Sequence, residues 1–424
     1  MRILRFNDKK YTRNEFQAIS SAASRAAKHC TIIAATGTGK TRIAILRLLA
    51  MNEASLEYKA IVVVPDHQVR KSFQEKIDQF EVKNTEVIVI NSLESRIKRH
   101  RTITTDFLVL DEVHNYATVN KSVVFTKIVR KSTLCLTATL TRLDNRHTII
   151  QRHCPVIVNV PLKTAMWQGW VNPFVIKNVY VPLTKSEEEK YREFDDMFTS
   201  NFSHFYTNNL PFRLKTVAGS PLNAMFKCIK DINFRRILAN SKNLTVEAMM
   251  GIAVKCNKGM QGRKAILINS EAKLLMAKII GRKLLFKTGV MTFSETTDVC
   301  DKMVKILGGK AYHSKLKKDQ KQKNLQKFLD GKIKYLHTAT SMDEGIDIPN
   351  LNAIIIIAGK STSRQMQQRV GRVIRLAQDK GVSMVYNLCI ENSQDEKWSL
   401  KRFDGIPGAN IEHIRFNELI AELQ

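Results

Sequence analysis

Clustered cysteines are missing from this chain. The seven present (Cys30, Cys135, Cys154, Cys228, Cys256, Cys300 and Cys389) are scattered, with no CxxC pair and no histidine at ligand spacing. That excludes a zinc site or a disulfide framework read from spacing, and it suits buried thiols in a reducing compartment. Also absent is any apolar run approaching the roughly 18 residues that cross a bilayer. The first residues, MRILRFNDKKYTRNEF, lack the apolar stretch and small-residue cleavage site of a secretory signal, so a cytoplasmic protein is expected. Low-complexity tracts and short internal repeats are not seen. Acid is scarce: 39 Asp and Glu stand against 68 Lys and Arg, a net charge of +29. So large an excess repels itself unless a polyanion neutralises it, which points to phosphate backbones. No basic amphipathic anchor or lipidation motif speaks for a membrane instead.

The 424 residues allow two or three domains, each with its own core. At 44% hydrophobic and 25% charged, the composition is that of a soluble globular protein. The first 165 residues or so alternate short β-branched runs, such as Ala60–Val64 and Phe107–Leu110, with helical stretches. Alternation of that kind is the signature of a parallel α/β sheet. The last 140 residues repeat the theme. Between them, Lys185–Lys283 holds helical patterns and aromatics with few strand signals, and it is too long for an ordinary connection.

Three segments of the first half carry chemistry. Ala34-Ala35-Thr36-Gly37-Thr38-Gly39-Lys40-Thr41 follows an apolar strand and precedes a helical run. Its glycines let several backbone N–H groups turn toward one phosphate, and the helix behind adds the positive end of its dipole. Lys40 would reach the β- and γ-phosphates of ATP, and the Thr41 hydroxyl would hold Mg²⁺. Asp111-Glu112-Val113-His114 ends a second apolar strand; an acid pair there needs a positive partner. Mg²⁺ is the natural one: Asp111 would orient its water shell and Glu112 would polarise the attacking water. Thr137-Ala138-Thr139 ends a third strand, where two hydroxyls could bond to the acidic segment.

Together these residues resemble motifs I, II and III of superfamily 2 helicases of the DExH type. LTATLTRLD is similar to the XPB-like branch and to bacteriophage branch-migration helicases. The general P-loop pattern has Gly where Ala34 stands; Ala is common there in helicases. Gln17 resembles the upstream glutamine that recognises adenine. Pro65, in VVVPDHQVRKSFQ with Arg70, resembles motif Ia, and Asn91-Ser92 the motif Ib or Ic region; in the family these loops hold the nucleic-acid backbone. In the second half VMTFSETTDVC, which includes Thr292, resembles motif IV. The stretch from Thr338 to Pro349 resembles motif V and implies nucleic-acid contacts at Thr340 and Ser341 and nucleotide contacts at Gly345 and Asp347. Gln368, Gly371, Arg372 and Arg375 follow the QxxGRxxR pattern of motif VI. On a helix, Gln368, Arg372 and Arg375 would share one face.

The resemblance implies two tandem RecA-like P-loop domains with parallel sheets, at 1–170 and 286–424, with a linker and mainly helical insertion at 171–285. It implies an ATP hydrolase whose catalytic groups are Lys40, Asp111, Glu112, Gln368, Arg372 and Arg375. The nucleotide would be held by Gln17, Ala35, Thr36, Gly37, Thr38, Gly39, Lys40, Thr41, Gly345 and Asp347, with Mg²⁺ on Thr41 and Asp111 partly through water. His114, Thr137 and Thr139 would couple nucleotide state to Pro65, Arg70, Ser92, Thr292, Thr340 and Ser341 on the nucleic acid. The substrate expected is forked, branched or duplex DNA. An RNA helicase, or a duplex motor that does not unwind, remains open. A monomer is expected, with replication or recombination proteins as further partners and no N-terminal wedge domain. The middle aromatics Phe202, Phe205, Tyr206, Phe212 and Phe226 read mainly as a helical layer buried against the second lobe, with base stacking or engagement of a branch point as the alternative. The basic run Ser314–Lys327 reads as the solvated face of a helix, and the last fifteen residues as an amphipathic helix packed on the second lobe.

Overall fold

The computed structural model describes residues 3–423 apart from 56, 101, 119–120, 141–144, 207–209, 285–288, 340–347, 349–350, 352, 360–365, 367–368, 372–380, 404–405 and 407–408. Two wholly parallel sheets organise it. The first contains β1 (His29–Ala34), β2 (Ala60–Val64), β3 (Thr85–Val89), β4 (Ile103–Leu110), β5 (Ile128–Thr137) and β6 (Val156–Val160), in the order β3-β2-β4-β5-β1-β6. Helices α1 (Arg13–Ala26), α2 (Lys40–Ala54), α3 (His67–Gln79), α4 (Ile90–His100), α5 (His147–His153) and α6 (Leu162–Trp167) pack around it. Parallel strands are buried on both faces, so they are near-continuous apolar runs; every residue of β2 is buried.

The second sheet has the order β13-β7-β12-β11-β8-β10-β9. Its strands are β7 (Phe174–Val181), β8 (Val290–Ser294), β9 (Lys310–Tyr312), β10 (Tyr335–Ala339), β11 (Ala353–Ile356), β12 (Ser383–Ile390) and β13 (Asn410–Arg415). These are the two RecA-like lobes, and two sequence expectations need correction against them. Phe174–Val181 lies in the stretch expected to be linker, yet it is an inner strand running eight residues beside β12. The C-terminal stretch is not one helix: Asn410–Arg415 pairs with β7 as an edge strand, and only Phe416–Leu423 is helical. Strand neighbours some two hundred residues apart leave no mark in local periodicity.

Among the described residues between β7 and β8 rise six α-helices: α7 (Lys185–Phe202), α8 (Phe212–Ala218), α9 (Pro221–Lys230), α10 (Ile232–Ser241), α11 (Val246–Asn269) and α12 (Glu271–Lys283). Helix α12 packs on the second sheet, but α8 to α11 close over a core of their own with Phe205, Leu214, Met225, Leu238 and Met249. Phe202, Phe205 and Phe226 therefore pack within the insertion and not against the second lobe. Phe205 is buried, Phe202 and Phe226 are partly buried, and Tyr206 and Phe212 are exposed. Helices α13 (Thr297–Leu307), α14 (Lys318–Leu329) and α15 (Gln394–Phe403) complete the second lobe. Among the described residues no helix is long and apolar enough to cross a membrane.

Candidate active site

In a parallel sheet the carboxyl ends of all strands open on one side, and loops there can meet a ligand. Strand β1 ends there in the loop 35–39. Gly37 and Gly39 sit at φ 87° and 91°, left-handed values that a β-carbon resists. Gly39 starts α2 with no side-chain cap, so the helix's first N–H groups and the dipole behind them face the loop. The loop closes on itself: the Thr38 hydroxyl donates to the Ala35 carbonyl at 2.7 Å, and Lys40 folds back to donate to the Ala34 carbonyl at 3.2 Å.

Gln17 braces this loop from α1. Its Nε2 donates to the Thr38 carbonyl at 3.0 Å, and a β-carbon at Gly39 would stand 2.2 Å from that same nitrogen. Arg13, one turn earlier, donates from Nε to the same carbonyl at 3.4 Å. Sequence reading missed Arg13, although spacing of four on a helix puts it on the face of Gln17. The helix is itself held by a ring cluster in which Phe6 and Trp170 pack on Phe16.

Asp111 follows β4 and is buried. Burial, then the adjacent Glu112, pushes its carboxyl up to about 7, with Lys40 pulling the other way. Glu112 takes a left-handed φ of 48° and its Oε2 lies 3.4 Å from His114 Nδ1. The Thr137 hydroxyl donates to the Thr139 carbonyl at 2.6 Å, so it must accept from His114, whose Nδ1 is 2.8 Å away. His114 is thus protonated at Nδ1 and ties the acid pair to the end of β5. That linkage is the one expected from the order DEVH then TAT.

The second lobe reaches this site. A β-carbon built on Gly371 would lie 2.4 Å from Thr36 Oγ1. The helical turn Arg369-Val370-Gly371 therefore rests on the phosphate-type loop, and only glycine allows so close an approach. Arg369, also not singled out from sequence, is buried with its guanidinium 4.9 Å from the Phe293 ring of β8. It anchors this turn to the second sheet. Gln368, Arg372 and Arg375 flank the turn but lie outside the described residues, as do Thr340, Ser341, Gly345 and Asp347.

Of the residues expected to touch nucleic acid, Arg70 and Ser92 are exposed and Pro65 half-buried, at the starts of α3 and α4. Thr292 is not available. It is buried in β8 with its hydroxyl 2.8 Å from His337 Nδ1, because inner strands of a parallel sheet turn both faces to core. His337 Nε2 faces the Gly308 carbonyl at 2.8 Å and so carries the proton, leaving Nδ1 to accept from Thr292.

The donor set suits a nucleoside triphosphate with a divalent cation: uncapped N–H groups, an ammonium, the Thr41 hydroxyl and an acid pair, Asp111 buried and Glu112 half-buried, short of positive charge. Among the described residues no three His, Cys, Asp or Glu side chains stand together as a metal cluster. A cation here would take one or two protein ligands, as Mg²⁺ does on substrate phosphates.

Comparison with known proteins agrees with this geometry. Residues 5–142 match the family model "Type III restriction enzyme, res subunit", and residues 272–377 match "Helicase conserved C-terminal domain". The DNA 3'-5' translocase XPB2 of Sulfurisphaera tokodaii is 24% identical over 403 residues, covering 92% of this chain and 84% of its own. Putative helicase 22 of a Sulfolobus islandicus filamentous virus is 27% identical over 93 residues, 22% of this chain and 17% of its own. The helicase domain of Pyrococcus furiosus Hef superposes with TM-score 0.54 at 14% identity, over 94% of this chain and 99% of that one. Dbp5 of S. cerevisiae, bound to RNA and ADP BeF3, gives 0.59 at 12%, over 98% and 93%. With each family model falling on one lobe and the lobes meeting at a phosphate-type loop, the chain has the two domains of a superfamily 2 helicase, is similar to XPB-like members, and is a nucleic-acid-dependent ATPase.

Proposed function

We propose that this chain is an ATP-driven DNA motor that couples hydrolysis between its lobes to unwinding or branch migration of forked and branched DNA. The contact of Gly371 with Thr36 supports this most strongly, since it sets the turn beside Arg372 against the loop beside Lys40. In this reading Ala35 to Thr41 wrap the phosphates, Gln17 takes the adenine edge, and Gly345 and Asp347 meet the nucleotide from the second lobe. Mg²⁺ on Thr41 and Asp111 would screen the phosphate charge. Glu112 orients and polarises the attacking water. Arg372 and Arg375, with Gln368, neutralise charge developing on the γ-phosphate, an effect of roughly 10³–10⁵ in rate. ATP favours the closed lobes because only then do both halves contact its γ-phosphate; loss of that group lets them part. His114, Thr137 and Thr139 pass the change to backbone contacts at Pro65, Arg70, Ser92, Thr340 and Ser341.

Translocation along duplex without strand separation is a second reading, favoured by the Sulfurisphaera relative being a DNA 3'-5' translocase. ATPase and unwinding assays on forks, four-way junctions, plain duplex and RNA duplex separate the cases. Greatest stimulation and strand separation on forks or junctions supports the proposal. Equal stimulation by plain duplex, with triplex displacement but no unwinding, selects the second reading. Stimulation by RNA alone overturns both.

A further inference from the structure

Residues 302–334 hold eleven lysines and two aspartates, with no arginine and no glutamate, a balance of +9 out of the chain's +29. They form α13, β9, α14 and their connecting loops at the outer edge of the second sheet. Ten of these lysines are exposed, and Lys321 is half-buried. Lys315 and Lys332 pair with Asp298 and Asp330. The other nine have no carboxylate within ion-pair distance among the described residues. Lys323 and Lys327 stand one turn apart on α14, a like-charge spacing that weakens a helix. Even so the helix is firmly seated: buried Asn324 donates to the Ala311 carbonyl at 2.8 Å, and Phe328 is buried beneath it.

The lysines do not stand apart from the motor. Tyr312, at the end of β9, accepts a hydrogen bond from Gln68 of α3 at 2.9 Å. Gln68 precedes Arg70 and Lys71, both exposed, so the basic surface continues across the lobes toward the start of α3. Two omissions define what would fit it. Single strands are held by stacking bases on exposed aromatic rings, and the aromatics here, Tyr312 and Phe328, are buried. Base edges are read chiefly by planar arginine or amide forks; residues 302–334 carry no arginine, and the exposed amides of Gln320 and Gln326 are already spent on Asn324 and Asp330. Lysine is a mobile point charge suited to phosphate without regard to sequence.

We infer that the face formed by α13, the loop after β9 and α14 is a sequence-blind docking surface for the phosphate backbone of duplex DNA, separate from the loops that follow the translocated strand. This rests on the DNA-motor reading above. The test is the full chain carrying Lys318→Gln, Lys323→Gln and Lys327→Gln together. Its control carries Lys185→Gln, Lys190→Gln and Lys397→Gln, which removes equal charge from exposed positions elsewhere. Binding to a 30-base-pair duplex and to an oligo(dT) strand is measured against salt, beside ATPase without nucleic acid.

The expected result is a fall in the duplex salt slope of about 2 to 3, near 0.9 per lost contact. Oligo(dT) affinity, basal ATPase and melting temperature should stay at wild-type values, and the control triple should keep the wild-type slope. An unchanged duplex slope overturns the surface; so does an equal loss on oligo(dT), or an equal loss in the control. If wild type is stimulated by duplex but the variant matches it, only this surface fails. A wild type indifferent to all DNA sinks the motor reading and the surface with it.

Discussion

Two buried aspartates, one in each lobe, meet opposite fates. Asp111 in the first lobe has Glu112 beside it and Lys40 as its nearby cation, and its carboxyl is driven up to about 7 by burial and that neighbour. Asp395 in the second lobe is also driven up by burial, but Lys273 and Arg402 outweigh this and hold it below its ordinary value. Arg402 lies 2.9 Å from Asp395 Oδ1 and donates also to Asn387 and to the Gly359 carbonyl, while Lys273 pairs with Oδ2. The second group is neutralised from within the fold. The first is left short of positive charge, and the deficit faces the phosphate-type loop. Buried charge that the fold balances is structural; buried charge that it leaves unbalanced awaits a ligand.

Several substitutions can break or sharpen this contrast. The largest effect should come from Arg372→Ala, which should lower nucleic-acid-stimulated turnover by roughly 10³–10⁵ with ATP binding intact; retained turnover would move the role to Arg375. Lys40→Ala and Glu112→Gln should each cost about 10²–10⁴ in turnover while melting temperature and DNA affinity hold. Near-normal hydrolysis by Glu112→Gln would remove that residue from the chemistry.

Asp395→Ala should behave in the reverse way. Stranding two buried cations should cost about 3–5 kcal/mol of stability, whereas Asp111→Asn should abolish ATPase with no loss of stability in nucleotide-free protein. Equal melting curves for the two variants would erase the distinction.

His337, held neutral in the second lobe at a pKa of about 4 by burial, supplies a pH test. Its folded value lies below the ordinary one, so its contribution is present above about 6.5 and is lost as pH falls toward 4. That loss should amount to about 2 kcal/mol between pH 7 and 5. A denaturant series on wild type and His337→Gln would show it, and equal slopes with pH would refute it. The smallest effect should be that of Thr137→Val. About 1 kcal/mol of stability should go with its hydrogen bonds, together with a lower ratio of stimulated to basal ATPase.

How much was legible follows from the same physics. A phosphate cradle made of backbone needs glycines, a lysine and a helix start in fixed order, so the first-lobe loop could be located residue by residue. Asp111, Glu112, His114 and Thr137 were legible because each ends an apolar strand, and parallel strands end on one side. Thr292 was misassigned because strand sequence does not say whether a hydroxyl faces a ligand or a neighbouring histidine. Arg13 and Arg369 were passed over since surface and buried arginines look alike in one dimension. Of the insertion aromatics read as buried, Phe205 is buried, Phe202 and Phe226 are partly so, and Tyr206 and Phe212 are exposed; their partners lie in the insertion and not in the second lobe.

From residue order alone came the two α/β halves, the phosphate loop and the acid pair, because local backbone geometry and chemistry demand those residue types at those spacings; Gln17 and the QxxGRxxR run were found through resemblance to a helicase family. Only the tertiary structure decided that Phe174–Val181 belongs inside the second sheet, that Gly371 lies on Thr36, and that Asp395 is neutralised while Asp111 is not. Those facts depend on contacts between residues hundreds of positions apart, and burial and charge balance exist only once such contacts have formed.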